Sequence, residues 1–173
     1  MLQNNANTCY NILNLQGGLN PMEKRITYHE KISDHYIDRY NALTKSLPRF
    51  TQNFFTGIES RTSAKTRLSY AYDLKVFFSF IKNNNPLYRN TEIHDFTYED
   101  LERITADDIE EYLQYLKKYT DEDGNVYRNS EQGLHRKLAS LRSFYGYFYR
   151  KEKIKSNPAQ NYDIHCHPHR CIS

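Results

Sequence analysis

Apolar residues first recur at helical spacing between 29 and 47, where Ile32, Tyr36, Tyr40, Leu43 and Leu47 follow at steps of three and four. That is the period of one face of an amphipathic helix. Pro48 ends this helix or opens a second, shorter one, in which Phe50, Phe54 and Ile58 keep the period and Gly57 helps to stop it. Beyond the candidate N-caps Ser60, Thr62 and Ser63, a third stripe runs through Tyr70, Leu74, Phe77, Phe78 and Ile81. On the opposite line of that helix lie Lys65, Ser69, Tyr72 and Val76, and Asn83-Asn84-Asn85-Pro86 closes it.

Residues 83–97 read as a loop. Thr97-x-x-Asp100 and Thr105-x-x-Asp108 are then two capping-box-like starts in succession. The first opens a single turn carrying Leu101; the second opens a helix with Ile109, Tyr112, Leu113 and Leu116 inside. Residues 120–125, Thr-Asp-Glu-Asp-Gly-Asn, form a turn. The last helix runs from Asn129 or Ser130 to about Arg150, with Leu134, Leu138, Leu141, Tyr145 and Phe148 inward and Gln132, Arg136, Ser140, Ser143 and Tyr147 on the far line. No segment alternates with period two and no repeat is evident. The expectation is an all-α fold, a small bundle of four to five helices over 25–159. A disordered lead-in (1–24) and a disordered tail (160–173) flank it.

Composition fits this picture. The 173 residues make one domain with tails, 38% hydrophobic, with only six Gly and five Pro. Sixteen Tyr and nine Phe without a Trp point to a core rimmed by half-buried phenols. Three cysteines without framework spacing argue against a disulfide scaffold, and the N-terminus lacks the charged and apolar regions of a signal peptide. No apolar run is long enough to span a bilayer, so no membrane partner is expected and the cytoplasmic compartment is the default. The net charge of +3 is unevenly spread. Residues 92–111 hold nine acidic side chains against one base, Arg103, whereas 127–155 hold eight bases against Glu131 and Glu152. Part of the acidic run belongs to first helical turns, where the dipole favours it, and Arg150 and Lys151 suit a last turn. The remaining asymmetry suggests a basic side aimed at phosphate and an acidic side facing away.

Two stretches read together give a sharper indication. Residues 66–81, TRLSYAYDLKVFFSFI, carry Thr66, Tyr70, Asp73, Leu74, Phe77 and Ile81 in a T-x-x-x-Y-x-x-D-L-x-x-F-x-x-x-(L/I) pattern. Residues 135–160 carry Arg136, Leu138, Leu141, Arg142, Phe144, Tyr145 and the pair Asn157-Pro158 in R-x-L-S-x-L-R-x-F-(F/Y)-x-Y-L followed by a basic turn. Between them LERITADDIEEYLQYL has the form I-T-x-x-D-I-x-x-Y-L. In this order, from about Leu47 to Ala159, the chain resembles the N-terminal core-binding domain of the tyrosine recombinases, the phage integrase family. The resemblance implies a SAM-like helical bundle forming half of a clamp around duplex DNA. Two helices, here 66–82 and 130–150, would lie in the major groove, and other recombinase protomers would be partners in a synaptic tetramer.

The helical-wheel reading and the resemblance agree on the face. Lys65, Ser69 and Tyr72 on one helix and Gln132, Arg136 and Ser140 on the other project from the core stripes, with Thr66 among them. Arg can meet guanine bidentately, Gln adenine, and Ser either. Arg67, His135, Lys137 and Arg142 flank these lines as phosphate contacts, which add affinity without sequence information. Tyr70 belongs to the core, and Asp73 to a local salt link or hydrogen bond.

The catalytic chemistry implied by the family needs a tyrosine nucleophile and several charge donors fixed around one phosphate, which takes a further folded domain. Only 15 residues follow Pro158, so the chain is expected to be non-catalytic alone, without cofactor or small-molecule substrate, as in a truncated or frame-shifted product. His167-Pro168-His169-Arg170 matches an H-x-x-R motif of the family but sits where an interdomain linker belongs, and so is not read as catalytic. His165, Cys166, His167, His169 and Cys171 offer zinc-type donors, but their spacing is too tight for one tetrahedral shell, and no metal site is assigned. The rival reading is a protein-interaction module docking through residues 92–111.

Overall fold

The computed structural model describes residues 28–121 and 123–160. The lead-in and the histidine- and cysteine-bearing end (165–171) lie outside the described residues. Six α-helices follow in order: α1 (Tyr28–Thr44), α2 (Thr51–Ile58), α3 (Ala64–Asn84), α4 (Tyr98–Arg103), α5 (Ala106–Lys117) and α6 (Glu131–Arg150). Between α5 and α6 a hairpin is formed by β1 (Lys118–Thr120) and β2 (Val126–Arg128).

The ends of the helices are set by identifiable side chains. Of the three candidate caps before α3, Ser63 serves, its Oγ accepting the Thr66 N–H at 3.1 Å. Thr97 with Asp100 and Thr105 with Asp108 both complete reciprocal capping boxes. Ser130 accepts the Gly133 N–H at 3.3 Å and opens α6. Such caps are each worth about 1 kcal/mol. α1 ends at Thr44, short of Leu47, because Ser46 and Leu47 turn back onto the carbonyls of Leu43 and Thr44.

α6 is the central helix, buried at Leu134, Leu138, Leu141, Phe144, Tyr145 and Phe148. It runs parallel beside α3, as the pairs Ser69–Arg136, Asp73–Ser140 and Phe77–Tyr145 show. Phe144 is enclosed by Phe54, Phe78 and Phe148 at ring separations of 5.3, 6.0 and 5.1 Å, all nearly edge-on. Each buried ring contributes about 2 kcal/mol through burial and each edge-on pair about 1 kcal/mol more.

Three expectations change. Gly57 lies inside α2 rather than ending it; a Cβ there would land on the ring of Tyr147, so glycine lets α6 approach. Ile32, expected inside, is exposed, because α1 packs on α3 further along, where Tyr40 also lies edge-on to Phe55 of α2 at 5.1 Å. The hairpin escaped the period-two reading because each strand has three residues and only Tyr119 among them is buried.

Candidate nucleic-acid interface

The parallel packing of α3 and α6 places their first turns side by side, and a polar cluster joins them. Its centre is Asp73, a carboxylate only 1% exposed in the middle of an otherwise apolar stripe. Arg136 grips it end-on, Nη1 donating to Oδ2 at 2.6 Å and Nη2 to Oδ1 at 3.0 Å. Lys137 Nζ donates to Oδ1 at 3.0 Å and Ser140 Oγ to Oδ2 at 2.7 Å. Arg136 Nη1 also donates to Ser69 Oγ at 2.7 Å. Below this layer the Tyr112 hydroxyl donates to the Asp73 carbonyl at 3.4 Å. Burial, then the nearby Asp73 charge, push its pKa well above the usual 10.0, so the phenol stays neutral.

A guanidinium has about five N–H groups. Asp73 and Ser69 take both on Nη1 and one on Nη2 of Arg136; among the described residues none takes Nε–H or the second Nη2 hydrogen. Those two lie on one edge and form a fork, and the side chain is half exposed. The cluster also carries one carboxylate against two cations, a surplus positive charge beneath that fork. A pre-oriented fork with unspent charge suits a phosphate or the O6/N7 edge of guanine.

The expected contact residues divide into two groups. Lys65, Gln132, His135 and Arg136 are exposed on the two first turns. Tyr72 is 40% exposed, and its hydroxyl accepts from Arg39 Nη2 at 2.6 Å with the guanidinium over its ring. Thr66 is half-buried with its hydroxyl on Ser63, and Ser69 is half-buried as the partner of Arg136.

The other group is corrected. Ser140 and Lys137 do not project from α6: both are buried and spent on Asp73, because polar partners let the wide inner face of a central helix accept them. Arg67 is 13% exposed and donates to the carbonyls of Glu59 and Thr62, tying the end of α2 to the start of α3. Arg142 is exposed, but its Nε donates to the Ala159 carbonyl at 3.2 Å, holding the segment after α6.

Sequence reasoning missed Arg39, which lies before the region of resemblance and reaches the interface only through Tyr72. It placed Asp73 in a local link, where the structure makes it the hub. The available hint was a carboxylate flanked by Ala71, Leu74 and Phe77 in a helix too apolar there to tolerate an unpartnered charge.

Much of the acidic run is also accounted for. Asp100 and Asp108 are spent in the capping boxes, Glu92 pairs with Lys82 at 2.9 Å, and Glu102 accepts the Lys155 N–H at 2.8 Å. Among the described residues no group of three or more His, Cys, Asp or Glu is arranged to hold a metal ion, and no helix is long and apolar enough to cross a membrane.

Comparison with known proteins bears on the same helices. The family model for the phage integrase N-terminal SAM-like domain matches residues 51–152. The tyrosine recombinase XerC of Caldanaerobacter subterraneus is 35% identical over 115 residues, covering 62% of this chain and 30% of that protein. XerC of Leptospira interrogans is 35% identical over 102 residues (59% and 26%), and XerC of Pelobacter propionicus 32% over 102 residues (59% and 28%). The chain thus spans under a third of the length of these relatives. No solved structure matches the chain significantly. With α2 to α6 inside the matched segment and the fold a helical bundle, the chain belongs to the phage integrase N-terminal SAM-like domain family, the N-terminal domain of tyrosine recombinases.

Proposed function

We propose that this domain binds duplex DNA and positions a tyrosine recombinase on its site, with the first turns of α3 and α6 in the major groove and no catalytic group of its own. The observation that carries the reading is the Arg136 fork, fixed by Asp73 and Ser69 with one edge unspent and half exposed. Lys65, Tyr72, Gln132 and His135 surround it as contacts to phosphate and base edges. Lys137, Ser140 and Arg67 act by holding the surface, not by touching DNA. In a whole recombinase, bound protomers would meet one another through these N-terminal domains in the synaptic complex.

The test is fluorescence anisotropy of the chain with a random-sequence duplex at roughly 30, 100 and 200 mM salt. Affinity falls steeply with salt, and Arg136→Ala lowers it about tenfold and reduces the log–log salt slope by about one. Absence of binding at the lowest salt would overturn the reading in favour of a protein-docking role for the acidic segment.

A further inference from the structure

The hairpin between α5 and α6 is held more firmly than its six strand residues require. Tyr119, largely buried, packs between Tyr115 and Tyr127 at ring separations of 5.2 and 5.1 Å, fastening the hairpin to α5. Its turn is organised by Asp121, whose carboxylate accepts the N–H groups of Asp123 and Asn125 at 3.0 and 2.8 Å and the Asn125 amide at 3.1 Å. Gly124, at φ +82°, supplies the left-handed residue. At the other end, Asn129 Nδ2 donates to the Leu116 carbonyl at 2.7 Å, clamping the start of α6 to the end of α5.

The register makes Lys118 the direct partner of Arg128. Tyr119 and Tyr127 occupy one face, so the alternation of a strand puts Lys118 and Arg128 together on the other, with side chains about 5 Å apart at their roots. Both are exposed, and neither joins an ion pair among the described residues. Two cations directly opposite each other destabilise a strand pair. A rigid hairpin that holds such a pair unneutralised beside an N-terminal helix turn is suited to an anion from outside.

We infer that Lys118 and Arg128, at the root of the hairpin, form a second DNA contact: a clamp on the phosphate backbone flanking the groove that α6 enters. This rests on the DNA reading above. Arg128 stands two residues before the Ser130 cap, so the pair adjoins the turn that carries Gln132, His135 and Arg136. Asp121 and Asp123, the described acids of the turn, do not pair with it. Asp121 is occupied by its hydrogen bonds, and with Asp123 it lies about 10 Å away along the strands, directing the tip away from phosphate while the root approaches. Glu131 is the nearest acid in the first turn of α6, where the helix dipole accommodates it.

The experiment compares the chain, Lys118→Gln/Arg128→Gln, and Lys151→Gln/Lys153→Gln on a fluorescein-labelled random 30-bp duplex across the same salt series, with urea midpoints for each. The second pair removes equal charge from the far end of α6, about 30 Å away. The hairpin variant is expected to reduce the salt slope by about two, with at least tenfold weaker binding at about 100 mM salt, while its urea midpoint stays or rises as the repulsion is relieved. The control pair should leave the slope nearly unchanged. The clamp is overturned if the hairpin variant keeps the parent affinity and slope, if its urea midpoint falls with its affinity, or if the control pair loses as much. Arg136→Ala weakening binding while the hairpin variant does not would retain the domain reading and remove only the clamp. No binding by the parent chain at the lowest salt would remove both.

Discussion

The two halves of the α3–α6 contact are built on opposite principles. Near the helix starts, Ser69 and Asp73 meet Arg136, Lys137 and Ser140 through directed hydrogen bonds, and one edge of the cluster opens to water. One to two turns on, Phe77 meets Tyr145 and Phe78 meets Phe144 in a layer of rings with almost no exposure. The aromatic half gains from burial and shape, which do not depend on any single partner. The polar half gains little net stability, since burying a charge offsets most of what pairing returns. What it gains is orientation: a guanidinium that cannot turn away from one direction. One helix pair thus separates holding the fold from presenting a surface.

Breaking the aromatic half should have the largest effect. Phe144→Ala opens a cavity among Phe54, Phe78 and Phe148, and a loss of about 4 kcal/mol is expected in urea unfolding. Breaking the polar half at its hub comes next. Asp73→Ala leaves the Lys137 ammonium, 8% exposed, without a counter-charge, and about 3 kcal/mol should be lost. DNA affinity should fall even in molecules that remain folded, because Arg136 loses its anchor.

The same separation shows in pH dependence. Burial holds the phenols of Tyr112 and Tyr145 well above their usual 10.0, Asp73 adding to the effect at Tyr112 and Asp108 at Tyr145. A folded-state pKa above the unfolded value means stability that is complete below about pH 10 and lost as pH rises toward the folded values. Between about pH 10 and those raised values, two such groups cost about 2.7 kcal/mol per pH unit. Urea midpoints measured from pH 8 to 11 should therefore be flat to about 10 and then fall, and Tyr145→Phe should flatten the fall. The Tyr145 hydroxyl has no hydrogen-bond partner among the described residues, so that substitution removes no bond there.

The aromatic half was legible in the sequence because periodicity reports directly on surface removed from water. Tyr70, Leu74, Phe77, Phe78 and Ile81 sit where their spacing puts them, and the caps at Thr97, Thr105 and Ser130 follow from local chemistry. The polar half was only partly legible. A wheel assigns Lys137 and Ser140 to solvent by residue type, and nothing in α6 alone reveals that a carboxylate on α3 waits for them. Contacts between residues more than sixty positions apart are what a local pattern cannot carry. The hairpin was illegible for another reason: its anchoring is a stack of three tyrosines from α5 and both strands.

The smallest expected effect sharpens the comparison most, because it separates a charge needed by the fold from one that only adjusts the surface. Lys137→Met removes the second cation from Asp73. Oδ1 keeps its bond from Arg136 Nη2, and Oδ2 keeps those from Arg136 Nη1 and Ser140, so neither oxygen is orphaned. The buried ammonium is replaced by an uncharged, apolar thioether chain of similar length. Urea stability should change by less than about 1 kcal/mol, in either direction. The surplus positive charge beneath the Arg136 fork would vanish, so duplex affinity at low salt should weaken by a few-fold. In Asp73→Ala the same Lys137→Met change should recover part of the lost stability, since the cation it removes is the one left stranded, and a double-mutant cycle would measure that coupling. A loss for Lys137→Met alone as large as that for Asp73→Ala would mean that the cluster acts as one indivisible unit and that the polar half, like the aromatic one, is there to hold the fold.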